Sequence, residues 1–348
     1  MSAETATPAL PATSVPRLTP AASRTEYVPI QYRVTDPQAI LNLQREIREL
    51  ATERKAVILA HNYQLPEVQE VADFVGDSLG LSLEAQRGGH ETIVFCGVHF
   101  MAESARILNP EKRVLLPNLS SGCSLADSIT PESLAEWKER YPDHTVVTYI
   151  NSSAEVKAMS DICCTSANAV SVVRSVPNRK ILFTPDRNLG RWVARQVPEK
   201  EIAIYDGACP THDVMRGATL KRTRAEHPEA VVLAHPECRE DVLALADEIC
   251  STTGMAAAVA RHPEARTFIV ATEWAIVHQL KRRYPDREFV VADGCIGCRL
   301  HCPYMKMNDL GMVRRALVTG QHEIQIHPDD IGPARRALER MMAVPRDR

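Results

Sequence analysis

The sequence predicts an α/β protein made of three similar αβα domains. Each holds a parallel sheet, a pseudo-threefold axis relates the three, and the active site lies at their central junction. Three observations lead there. From residue 40 onward helical and apolar segments alternate, as they do where parallel strands are layered between helices. Four sets of short motifs recur at a spacing of 86 to 88 residues. The length, 348 residues, is enough for two or three compact units with cores of their own.

Residues 1–35 are rich in Pro, Ala, Thr and Ser and lack apolar periodicity, which predicts a disordered N-terminal extension. An amphipathic helix begins near Ile40 and leads into the apolar run between Lys55 and His61, the first expected strand. The first αβα repeat then covers residues 36–125, the second 126–212 and the third 213–303. Residues 304–348 form a C-terminal helical segment that packs back on the domains.

The recurring motifs set these boundaries. VILAHNY carries His61, VVTYINS carries Tyr149 and VVLAHPE carries His235, at offsets of 88 and 86 residues. Ser78, Ser166 and Thr252 repeat the same two offsets, and each stands before a helical stretch. Val98, Pro185 and Thr272 are each 87 apart, and Cys123 and Cys209 are 86 apart. A unit of about 87 residues is too small to be very stable alone, so the units pack together. In open parallel sheets the ligand lies beyond the carboxyl ends of the strands, and the matched polar residues all follow an apolar run. Three such ends facing one another make one central cavity.

Composition narrows the function. Lys and Arg number 41 against 44 Asp and Glu, a net charge of −3, so no basic excess exists to neutralise a phosphate backbone and nucleic acid is not expected as a partner. No run approaches eighteen apolar residues and no secretory leader opens the chain, which predicts a cytoplasmic protein without a membrane span. No G-x-G-x-x-G or Walker motif follows an expected strand, so nucleotide binding lacks support. Ten cysteines are too sparse for a disulfide scaffold and more than a reduced enzyme needs, which points to metal ligation.

Cys295, Cys298 and Cys302 form the densest thiol cluster, a spacing compatible with zinc, iron-sulfur and redox-disulfide chemistry alike. The repeat adds that one cysteine per unit would give three ligands around the axis. Three thiolates on a four-iron cube leave one iron open as a Lewis acid. Cys96, Cys163, Cys164, Cys238 and Cys250 sit in or beside apolar runs and read as small hydrophobes, although Cys238 adjoins His235 and Glu237. His61 and His235 are candidates for acid/base or anion contacts, and Ser78, Ser166 and Thr252 for holding carboxylate or phosphate oxygens at helix starts.

The segments AHNYQLPEVQEVADFVGDSL, FMAESARIL, LPNLSSGCSLADS, VVTYINSSAEVKA, CCTSANAV, PDRNLG, GACPTH, HPEC, STTGM and CPYMKMN, in this order along nearly the whole chain, resemble the quinolinate synthase family. The resemblance implies three α/β domains about a pseudo-threefold and a 4Fe-4S cluster held by three cysteines. It also implies condensation of iminoaspartate with dihydroxyacetone phosphate to quinolinate for NAD synthesis, the iminoaspartate coming from an L-aspartate oxidase or dehydrogenase. It makes Cys123, Cys209 and Cys302 the metal ligands. His61, Tyr63, Ser78, Tyr149, Asn151, Ser166, His235, Glu237 and Thr252 become substrate-binding, with Glu237, Tyr149, Tyr63 and the two histidines moving protons. The repeat spacing alone selects Cys295 as third ligand, whereas the motif before PYMK selects Cys302; CIGCRLH then reads as a seven-residue insertion that shifts the phase. The same resemblance raises a redox-responsive disulfide between Cys295 and Cys298. Two rivals remain: an aconitase-like iron-sulfur hydro-lyase acting on one dicarboxylate, and a non-enzymatic iron-sulfur or zinc sensor built on Cys295, Cys298 and Cys302.

Overall fold

The computed structural model describes residues 34–295 and 298–347, with the side chains of 295–299 outside the described set. The expected disordered extension falls almost wholly on residues 1–33, outside the described residues.

Three four-stranded sheets, parallel throughout, form the framework. The first contains β1 (Ala56–His61), β2 (Phe74–Gly76), β3 (Thr92–Cys96) and β4 (Arg113–Leu115) in the order β2-β1-β3-β4. The second contains β5 (Thr145–Tyr149), β6 (Ile162–Cys164), β7 (Lys180–Thr184) and β8 (Glu201–Ile204), ordered β6-β5-β7-β8. The third contains β9 (Val231–Ala234), β10 (Glu248–Ile249), β11 (Thr267–Ala271) and β12 (Glu288–Val291), ordered β10-β9-β11-β12. Each sheet therefore repeats one order: second strand, first, third, fourth. The α/β architecture with three similar parallel-sheet units is as the sequence predicted.

One bond recurs in all three units. Asp73 accepts from the Ile58 backbone N–H, Asp161 from Val146 and Asp247 from Val232, each at 2.8 Å. These aspartates lie where the second strand turns in beside the first, and each satisfies a backbone donor that the short partner strand leaves over. They are spaced by 88 and 86 residues, a further register that the apolar pattern does not show because the residues sit in turns.

Side-chain alternation along the strands explains how the units meet. Leu59, Val147 and Leu233 point inward, with Phe95, Phe183 and Val270 beside them, and belong to one continuous core. Their neighbours point the other way into separate clusters: Ile58 in one, Val146 in another, Val232 in a third. Strands buried on both faces need apolar residues at consecutive positions, which is why these runs lack polar alternation. The shared inner core draws the strand ends toward one place.

The segment between β12 and Cys302 contains an antiparallel hairpin of β13 (Asp293–Cys295) and β14 (Cys298–Arg299), in which Cys295 stands opposite Cys298. Beyond it, helix Leu310–Thr319 packs on helix Pro37–Glu53, and helix Pro328–Met342 packs on helix Ala154–Ala158 and on β6. No helix among the described residues is long and apolar enough to cross a membrane.

Candidate active site

The strand ends of the three sheets converge on one cavity. All twelve residues that the family resemblance assigns to the site line it. They come as four sets of three. His61, Tyr149 and His235 end or follow the first strand of each sheet. Tyr63, Asn151 and Glu237 stand two residues later, Ser78, Ser166 and Thr252 lie at or near the next helix start, and Cys123, Cys209 and Cys302 follow the fourth strand.

The helix starts correct one detail. Ser78 and Thr252 are the first residues of helices Ser78–Ala85 and Thr252–Arg261, and the caps are Asp77, accepting from Gly80 N–H, and Ser251, accepting from Gly254 N–H. The capping side chain must reach back over the first turn, and only the residue preceding it in extended backbone can do so. The Ser78 and Thr252 side chains are therefore not used as caps. Ser166 stands three residues ahead of helix Ala169–Ser175.

The first two sets share a local geometry. The Tyr63 N–H donates to His61 Nδ1 at 3.2 Å, and the Glu237 N–H approaches His235 Nδ1 at 3.4 Å. His235 Nε2 lies 3.1 Å from Ser166 Oγ, a contact between the third unit and the second. Burial lowers the His61 pKa to about 3, so that ring is neutral near pH 7, and burial lowers the His235 pKa against the opposing pull of Glu237. Burial likewise pushes the phenols of Tyr63 and Tyr149 upward, with the Glu237 charge adding to the effect, and both keep their protons.

Glu237 is 3% exposed. Burial opposes its ionisation, but His212 and His235 outweigh it and hold the carboxyl below the ordinary range. Its Oε2 lies 2.9 Å from His212 Nδ1 and 3.2 Å from His235 Nδ1. Its Oε1 is buried without a hydrogen-bond partner. A buried carboxylate oxygen left unpaired carries a desolvation cost that a ligand in the cavity would relieve. Glu237 is thus a cavity residue and not a solvent-facing helix cap.

His212 is the functional residue that the sequence reading missed. Its Nδ1 lies 3.2 Å from Cys209 Sγ, and its Nε2 is 2.8 Å from Thr272 Oγ1, which in turn meets the Tyr63 hydroxyl at 2.5 Å. The signal was local: His212 follows Cys209 by three residues, in the short helix Pro210–Asp213 that turns it back toward the thiol. No counterpart occurs in the other units, so repeat matching could not find it.

Two of the three cysteines are held through their backbone N–H groups. Asp186 accepts from Cys209 N–H at 3.1 Å, and Glu273 accepts from Cys302 N–H at 3.4 Å while pairing with buried Lys306 at 2.9 Å. Burial pushes the three thiols above their ordinary value, and at Cys209 the charges of Glu237, Cys123 and Cys302 push it further. Thiols so placed stay protonated until a cation replaces the protons. Cys96, Cys163, Cys164 and Cys238 are buried in apolar clusters, and Cys238 Sγ donates to the Ala271 carbonyl. The side chains of Cys295 and Cys298, and with them the expected disulfide, lie outside the described residues.

Residues 45–343 match the family described as Quinolinate synthetase A protein. The chain is 52% identical over 305 residues to a quinolinate synthase of Geobacter metallireducens, covering 88% of this chain and 98% of that protein. It is 49% identical over 304 residues to one of Caldicellulosiruptor saccharolyticus, covering 87% and 98%, and 47% identical over 298 residues to one of Microcystis aeruginosa, covering 85% and 93%. The chain belongs to the quinolinate synthetase A family.

Proposed function

We propose that this protein condenses iminoaspartate with dihydroxyacetone phosphate to give quinolinate, phosphate and two waters, a step of NAD biosynthesis, and that its cavity holds a 4Fe-4S cluster on Cys123, Cys209 and Cys302. The observation that carries this reading is the convergence of twelve residues, four from each unit, on one cavity. The repeated sheet order and the recurrent aspartate bond support units bounded at residues 36–125, 126–212 and 213–303 about a pseudo-threefold axis.

The donor set fits the cluster. Three thiols line one cavity with protons that a cation would displace, and among the described residues no fourth cysteine accompanies them in the cavity wall. When bound, the cluster supplies an iron without a protein ligand, a Lewis acid. The remaining chemistry falls to side chains. The reaction loses phosphate and water with no net electron transfer, so it requires groups that take and return protons. Glu237, a cavity-wall carboxylate whose Oε1 lacks a partner, is the base, and Tyr149 and Tyr63 are phenols that can donate. The rings of His61 and His235 orient substrate by hydrogen bonds. Ser78, Ser166, Thr252 and Asn151 hold carboxylate and phosphate oxygens. The iminoaspartate would be supplied by an L-aspartate oxidase or dehydrogenase.

A second reading has one observation in its favour. Donor atoms of Cys209, His212 and Glu237 all lie within 4.8 Å of one another and could hold a single zinc. Those atoms already bond to each other, and Thr272 occupies the other nitrogen of His212, so the set is satisfied without an ion. Metal analysis after anaerobic purification separates the two readings: iron with equimolar acid-labile sulfide supports the cluster, and zinc alone rejects it. Quinolinate formed only when both substrates are present supports the reaction. Turnover of a single dicarboxylate without triose phosphate would favour a hydro-lyase instead.

A further inference from the structure

The last residues of the chain reach the cavity wall. Helix Pro328–Met342 ends beside the second unit, where Asn168 Nδ2 donates to the Met341 carbonyl at 3.0 Å. Asp347 then caps the helix Ala169–Ser175, accepting from Val170 N–H at 3.1 Å and Ser171 N–H at 2.8 Å, while its own N–H donates to the Ala167 carbonyl. With both sides fixed, Arg346 between them is aimed at the first unit. Its guanidinium meets the Asp77 carboxylate with two bonds, 2.5 Å to Oδ2 and 2.9 Å to Oδ1. Arg346 and Asp347 lie beyond the stretch 45–343 that matches the family.

Asp77 lines the cavity and is 4% exposed. Besides Arg346 it accepts from Gly80 N–H in its own helix and from Ser251 Oγ, the cap of helix Thr252–Arg261 in the third unit. One carboxylate thus joins the first unit, the third and the C-terminal tail, directly beside Ser78 and Thr252. An unneutralised carboxylate there would repel any anion in that end of the cavity. That a ligand is needed in this cavity is indicated independently by Glu237 Oε1, buried and unpartnered.

We propose that Arg346 is a positioning residue that neutralises and orients Asp77, so that the end of the cavity lined by Ser78 and Thr252 accepts an anionic group of the substrate, a phosphate or a carboxylate. This rests on the proposed function insofar as the substrates are anions. The bidentate contact suits Arg346 to this role, because it cancels the charge and engages both oxygens of the carboxylate.

The test compares full-length, anaerobically prepared wild type with Arg346→Gln, Asp77→Asn and the double variant. Asn is as good a helix cap as Asp, so the Asp77 change removes charge without removing the cap. Calorimetry with inorganic phosphate and steady-state kinetics with dihydroxyacetone phosphate are the two readouts. Arg346→Gln should weaken phosphate binding and raise KM on the order of tenfold, with the loss falling on KM more than kcat. The double variant should recover most of that loss, because no charge remains to be neutralised. A double variant as weak as Arg346→Gln would reduce the tail to a mechanical strap and overturn the proposal, as would unaltered binding in Arg346→Gln or no phosphate binding by the wild type. Absence of quinolinate from wild type would reject the functional reading, while the phosphate series would still decide this one.

Discussion

Glu237 and His212 meet through a single carboxylate oxygen: Oε2 lies 2.9 Å from the His212 Nδ1, and Oε1 of the same group is left buried and unpartnered. One oxygen anchors and the other is available. That division of labour is what a positioned base requires, since a carboxylate saturated by the protein has no lone pair to offer.

Replacing Glu237 by Gln keeps the shape and one acceptor oxygen but removes the base. Quinolinate formation should fall by about a hundredfold or more, the usual scale for loss of a general acid/base, with iron content and fold unaltered. Turnover near wild type in a protein with its full iron content would remove Glu237 from the mechanism.

His212→Ala takes away the strongest of the interactions that depress the Glu237 pKa against its burial. Glu237 should then hold its proton to higher pH, and the acidic limb of the kcat/KM profile should move upward. The profile across pH 4 to 8, on the order of ten points, reads this directly. An unmoved limb would mean that another group sets it.

The buried imidazoles make stability acid-sensitive. His61 has its pKa lowered from 6.5 to about 3 by burial, so below pH 6.5 the unfolded chain takes up a proton that the folded protein refuses. Stability conferred by this group is fully present above 6.5 and is lost as pH falls toward 3, by up to about 1.4 kcal/mol per pH unit. Urea midpoints measured between pH 7 and 5 should fall less steeply in His61→Asn than in wild type; parallel slopes would show that His61 is not buried neutral.

Lys306 and Glu273 are 3% and 0% exposed at the side chain and pair at 2.9 Å beside Cys302. Removing one partner leaves the other's buried charge without its counter-ion, so Glu273→Gln and Lys306→Met should each cost about 3–5 kcal/mol, whereas replacing both with apolar residues should cost much less. Urea denaturation of the two single variants and the double one checks this, and additive losses would contradict it.

Much of this architecture was legible because the chain states it three times. His61, Tyr149 and His235 announce three strand ends, and the apolar runs before them fix the sheets. What escaped was of two kinds. His212 belongs to one unit only, so no repeat marks it, and its contact with Glu237 spans two units. Arg346 and Asp77 are 269 residues apart, a pairing that no local periodicity encodes. Asp77 and Ser251 are ordinary capping residues in sequence, and only packing turns them into a joint between units. The choice between Cys295 and Cys302 rested on the motif before PYMK; Cys302 lines the cavity, and the side chain of Cys295 lies outside the described residues.

The most direct test of the central claim is iron and acid-labile sulfide counting, with the accompanying cluster absorbance, on anaerobically purified single variants alongside quinolinate formation from iminoaspartate and dihydroxyacetone phosphate. Cys123→Ser, Cys209→Ser and Cys302→Ser should each lose cluster and product together, while Cys163→Ala, altered in the apolar core, should keep both. A Cys302→Ser protein that retains its cluster and its turnover, or a wild type that makes no quinolinate with its iron in place, would contradict the account.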